Sequence, residues 1–215
     1  MLFARLILFF GVTMDKIYES ANNFNKLLET KYIFTIVEKR KQKTIILDFM
    51  KSDFRHATGL HYINDISIEN NPNKLVDSIL NGHLTDEILD KSSKYIKPRP
   101  EGGTIKERVS EFAYLEEHLD KSDIIKIFTL QNFNSEIEAD YFIEATSKKR
   151  LSTVYIFIRK RRENENYVVV SFFKKSTAVY QGGKVYWMLK EKNTPNESII
   201  LFQNPTYLAN NKEKK

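Results

Sequence analysis

The stretch Val154-Tyr-Ile-Phe-Ile-Arg-Lys-Arg-Arg-Glu-Asn-Glu-Asn-Tyr-Val-Val-Val-Ser-Phe-Phe173 decides the fold. Its two apolar runs, 154–158 and 167–173, are rich in β-branched and aromatic residues, which suit a pleated, half-buried surface. The polar link Arg161–Asn166 between them reads as a hairpin turn. Further strand candidates lie on both sides, at 125–130 before the hairpin and at 184–189 and 198–202 after it.

Toward the N-terminus the period changes. Thr104-Ile-Lys-Glu107 matches a capping box, with Thr at the cap and Glu three residues on. Ile105, Val109, Phe112, Leu115 and Leu119 then form one apolar stripe, predicting a single core helix. Pro98, Pro100, Gly102 and Gly103 make 91–103 the strongest loop signal in the chain, either the edge of a helical insert over 73–103 or a mobile loop. Within 73–90, Asn73 and Thr85 are expected to cap two short helices. Residues 51–60 read as a polar connection, preceded by a hairpin of 32–37 and 44–49. Ile17, Ala21, Phe24 and Leu28 mark a first amphipathic helix. The fold class is therefore α+β, an antiparallel β-sheet packed by N-terminal and central helices. We expect one domain over 14–203, an apolar extension over 1–13 with translation able to start at Met14, and a disordered tail over 204–215.

With 215 residues, 41% of them hydrophobic, the chain can build a substantial core. The absence of cysteine excludes a disulfide framework, thiolate metal sites and a cysteine nucleophile. No phosphate-cradling glycine motif is present, and the four histidines lack metal-ligand spacing, so neither cofactor nor metal is expected. The apolar start is shorter than the roughly twenty residues a membrane span needs, and it lacks the cleavage site of a signal peptide. A cytoplasmic protein without membrane contact is the expectation.

Charge is distributed unevenly. Residues 148–192 hold twelve Lys or Arg against three acids, whereas residues 1–147 hold nineteen bases against twenty-three acids. A mildly acidic body with one basic, ring-rich segment is the pattern of a polyanion-binding face, cations meeting phosphates and rings stacking bases. Arg55, Arg159, Arg161, Lys174, Lys175 and Tyr180 are the candidate RNA contacts. RNA hydrolysis needs no metal, because the ribose 2′-hydroxyl can attack its own phosphate once a proton acceptor, a proton donor and positive charge are in place. His56, beside Arg55 and followed by Thr58 and Gly59, is the sharpest candidate for proton transfer, imidazole being the side chain that titrates nearest neutrality. Arg108, Ser171, Thr177 and Gln181 are candidate phosphate ligands. The bland readings are a histidine bonded inside a turn and a lysine-rich surface that only solubilises.

Ile45-Ile-Leu-Asp-Phe49 followed by Phe54-Arg-His-Ala-Thr-Gly-Leu60 resembles the F…F-x-H-x-x-G block of phage-associated nucleases of the barnase–EndoU–colicin–RelE superfamily, fourth phage type. Ile105–Val109, Val154–Ile158 and Val169–Phe173 follow in the order of that family's later blocks. The likeness spans 32–192, although Ala57 stands where a bulkier apolar residue is usual and no proline precedes Ser171. The resemblance implies a barnase/RelE-like sheet and an endoribonuclease encoded by a phage or mobile element. Such an enzyme works without metal, leaves a 2′,3′-cyclic phosphate and acts as a toxin or defence effector held by an inhibitor (antitoxin) protein. It makes His56 a general acid or base, with Arg108, Ser171, Thr177 and Gln181 around the scissile phosphate. The alternative is a non-catalytic RNA-binding or protein-interaction module.

Overall fold

The computed structural model describes residues 15–99, 103–122, 124–129, 137–147, 152–175, 180, 182–205 and 207. The expected extension at 1–13 and most of the expected tail lie outside them. Helix α1 (Lys16–Lys26) begins at Asp15, whose carboxylate accepts from the Tyr18 amide, and it buries Ile17, Ala21 and Phe24 as the apolar period requires. Helix α3 (Pro72–Leu80) is capped two residues earlier than the expected Asn73. Asn71 accepts from the Asn73 amide instead, and Pro72 takes the first helical position, where a missing N–H is harmless. Thr85 caps α4 (Asp86–Leu89) as expected.

Two stretches read as irregular contain helix. Residues 51–60 hold α2 (Asp53–Ala57), too short and too polar to show a period. The loop-like 91–103 holds α5 (Ser93–Ile96), capped by Ser92. The capping box at Thr104 forms reciprocally with Glu107. The single helix expected after it is two, α6 (Ile105–Phe112) and α7 (Leu115–Lys121). Asn23 of α1 donates to the Ala113 carbonyl at 3.0 Å, taking an acceptor that a continuous helix would have used.

Among the described residues the strands are β1 (Lys31–Glu38), β2 (Lys41–Leu47), β3 (Ile124–Ile127), β4 (Tyr141–Ser147), β5 (Ser152–Lys160), β6 (Tyr167–Lys175), β7 (Gly183–Lys184), β8 (Tyr186–Asn193) and β9 (Ser198–Gln203). They form one sheet in the order β7-β3-β4-β5-β6-β2-β1-β8-β9. It is mostly antiparallel rather than wholly so: β2 and β6 run parallel, meeting only at Leu47↔Tyr167, reinforced by Asp48 N–H donating to the Tyr167 carbonyl at 3.2 Å. A parallel neighbour needs a long crossover, and the helical region and three strands between β2 and β6 supply it.

The sheet carries side chains into two cores. The helices pack with Tyr32, Phe34, Ile143, Ile156, Val169 and Phe172 in the main core. Leu75, Val76, Ile79, Leu89 and Tyr95 from 73–96 belong to the same cluster. A second cluster is nearly all rings: Phe128, Phe142, Tyr155, Phe157, Phe173 and Tyr180. Because successive strand residues alternate in direction, Phe172 joins the helix-side core and Phe173 the ring cluster. Among the described residues no helix is long and apolar enough to cross a membrane.

Candidate active site

The site is built on the return from β2. Thr58 closes α2 by donating its hydroxyl hydrogen to the Phe54 carbonyl at 2.6 Å. Gly59 then reverses the chain at φ +82°, a left-handed conformation that side chains with a Cβ adopt at a cost. The 3-10 turn Leu60–Tyr62 follows at once. This tight return brings together two histidines five residues apart: the ring centroids of His56 and His61 lie 4.3 Å apart. His61 in turn lies 3.8 Å from the Tyr62 ring, and the Arg99 guanidinium sits 3.6 Å over Tyr62. The result is a column of four planar groups with His56, exposed to solvent, at its open end.

Positive charge surrounds this column. His56 is held below its ordinary value first by loss of water around the ring, then by Arg159 and Arg55, with Asp53 opposing. His61 is pushed down to about 4, first by burial, then by His56, Arg108 and Arg99, against the hydrogen bond with the Arg55 carbonyl. Both imidazoles are therefore neutral at neutral pH, and a neutral imidazole accepts a proton.

Arg108 joins this turn to the sheet. Its side chain is buried on α6, and a Cβ placed on Gly59 would lie 3.0 Å from its Nη1. Its guanidinium carbon is 5.6 Å from the Phe173 ring on β6. Ser171, also buried, precedes Phe173 by two residues. Its strand partner is Phe157 and that of Phe173 is Tyr155, both members of the ring cluster, so the two residues share a face. Tyr180 completes that cluster, 5.9 Å from Phe173.

Among the described residues the remaining candidate contacts, Arg55 and Arg159 included, are held by partners of their own. Arg161 is buried between acids, its Nε 2.7 Å from Asp48 and its Nη2 2.5 Å from Asp53. Lys174 partners Val154 of the helix-side core, opposite in direction to Ser171, and lies 3.8 Å from Glu111. Arg159 pairs with Glu138 at 2.8 Å, and Arg55 donates to the Asn70 carbonyl. The side chain of Lys175 and residues Thr177 and Gln181 lie outside the described residues. Among the described residues, further cations of the basic segment are likewise engaged. Lys160 pairs with Glu165, Lys192 with Glu116 and Asp120, and fully buried Lys190 donates to the Asp120 and Ser122 carbonyls. A count along the chain cannot see such acids, most of them far away in sequence.

His61, Tyr62 and Arg99 carry no motif and were not singled out by the sequence. The signal that could have found the first of them is Gly59, a turn residue lying between two histidines. Among the described residues no group of three or more His, Asp or Glu is placed to hold a metal ion. The family model described as phage-Barnase-EndoU-ColicinE5/D-RelE like nuclease4 matches residues 16–212. No curated protein and no solved structure matches the chain.

Proposed function

Since the chain belongs to the phage-Barnase-EndoU-ColicinE5/D-RelE like nuclease4 family, we propose that it is an endoribonuclease that cleaves RNA without a metal ion, with His56 as the general base. The observation that carries this reading is an exposed imidazole stacked on a second one and held below its ordinary value, Arg55 and Arg159 acting on it and Arg99 and Arg108 on its stacking partner. His56 takes the proton of a ribose 2′-hydroxyl, whose oxygen attacks the adjacent phosphorus. The bond from phosphorus to the 5′-oxygen breaks, that oxygen departs with a proton taken from solvent, and a 2′,3′-cyclic phosphate remains. The guanidinium of Arg108 stabilises the charge that grows on the phosphate oxygens, where fixed positive charge in a dry site is worth most. Ser171, Thr177 and Gln181 are assigned as donors to the same phosphate, and Tyr180 and Lys175 as contacts along the strand.

The same reading makes the protein a cytoplasmic toxin or defence effector of a phage or mobile element, controlled by an inhibitor protein that covers the histidine column. Arg161 and Lys174, both engaged by acids, are assigned to holding the fold. The test is cleavage of single-stranded RNA in excess chelator, with product ends identified by mass spectrometry. Replacing His56 by Ala is expected to lower the rate by about 10²–10⁴, the usual contribution of one general acid or base. Full activity in that variant removes His56 from the mechanism, and loss of activity on chelation removes the metal-free route.

A further inference from the structure

General-base chemistry at His56 accounts for only one member of the stacked column. A second histidine against a general base suggests a donor–acceptor couple, but the geometry opposes it. In displacement at phosphorus the attacking and leaving oxygens lie roughly in line on opposite sides. The acceptor and donor must then flank the phosphate. Rings with centroids 4.3 Å apart are already in contact, since carbon atoms touch at about 3.5–4.0 Å. No phosphate fits between them.

Building on the nuclease reading above, we propose that His61 is a positioning residue that acts through His56, the two stacked rings serving as one proton-transfer group rather than as donor and acceptor. Two anchors hold His61. Its Nδ1 lies 3.4 Å from the Arg55 carbonyl oxygen, which fixes the hydrogen on that nitrogen. Tyr62, itself covered by Arg99, is packed against the same ring. His61 is thus a wall against which the exposed imidazole rests.

The charged groups facing the pair are Asp53 and Arg55 from α2, Arg159 from β5, Arg108 from α6 and Arg99 from the segment before it. Four arginines against one aspartate disfavour two protons on adjacent rings. His61 is pushed down to about 4, first by burial and then by His56 itself, so its ring stays neutral beside His56 near neutral pH. Coupled groups of this kind titrate as a unit.

The test compares His61→Phe, which keeps a flat ring that cannot titrate, with His61→Ala, which removes the wall. Cleavage of a short single-stranded RNA is followed as kcat/KM across the neutral range, alongside NMR titration of the His56 imidazole. His61→Phe is expected to stay within about tenfold of the parent and keep both limbs of the pH profile, whereas His56→Ala falls by about 10²–10⁴. In His61→Ala the rate drops below that of the Phe variant, and His56 titrates at higher pH as its ring regains water. A Phe variant as damaged as His56→Ala and lacking one limb would make His61 a catalytic acid or base and overturn the proposal. So would a His56 titration unmoved in His61→Ala. If the parent cleaves no RNA, the nuclease reading fails by itself, and the NMR arm still decides whether the rings form one unit.

Discussion

Replacing Gly59 by Ala tests the site at its tightest point. The backbone there has φ +82°, and holding a residue with a Cβ in the left-handed region costs about 1–2 kcal/mol. The added methyl would also meet Arg108, 3.0 Å from Nη1 and 3.4 Å from Cδ, against an ordinary contact of about 3.5–4.0 Å. Arg108 is only 5% exposed, so it has little room to yield except by moving its guanidinium. Together these amount to a loss of about 2 kcal/mol, or about 4–8 °C in melting temperature for a chain of this size. The chemistry should suffer separately. A misplacement of about 1 Å costs on the order of 10²-fold, so a shift of half that is expected to lower the rate about tenfold at temperatures where the variant is folded. Thermal denaturation followed by circular dichroism, with RNA cleavage well below the transition, measures both. A variant with the parent's melting temperature and full activity would refute the account of why glycine and Arg108 occur together.

Other substitutions separate fold from function. Arg161→Met leaves Asp48 and Asp53 without their shared cation, which is expected to cost about 3–5 kcal/mol. RNA affinity and its salt dependence should survive in the folded fraction, and a lowered salt slope would return Arg161 to the RNA interface. Acid stability reports on His61. Its value is about 6.5 in the unfolded chain and about 4 in the fold, so the unfolded state takes up the extra proton as pH falls between them. Stability contributed by the neutral ring is present above that window and lost across it. Urea titrations should show His61→Phe gaining on the parent as the solution is acidified from 6.5 toward 4, and parallel curves would refute the depressed titration.

The periodic parts of this fold were legible because burial on one face leaves a repeating trace. The stripe from Ile105 to Leu119 and the strands around 154–158 and 167–173 needed no distant information. β4 was not recognised because it is buried on both faces, with Phe142 in the ring cluster and Ile143 in the main core, so polar and apolar residues do not alternate. The helix break after Phe112 depends on Asn23, ninety residues away from the carbonyl it binds. His56 was legible through its polar, glycine-containing surroundings. Its neighbour His61 was not, because a spacing of five residues fits neither a helix face nor a metal motif, and only the left-handed turn at Gly59 makes the two rings meet. The pairing of the basic segment was hidden for a related reason: which acids stand beside a cation such as Arg161 or Lys192 is decided by folding, not by spacing along the chain.

Among the described residues the parallel junction between β2 and β6 is a narrow seam, paired only at Leu47 and Tyr167. Arg161, from the far wing, latches it by gripping Asp48 at the end of the near wing and Asp53 on the helix that bears His56. Wing, wing and imidazole thus share one fastening. Loss of Arg161 would therefore loosen the β2–β6 seam and the helix that carries His56 at the same time.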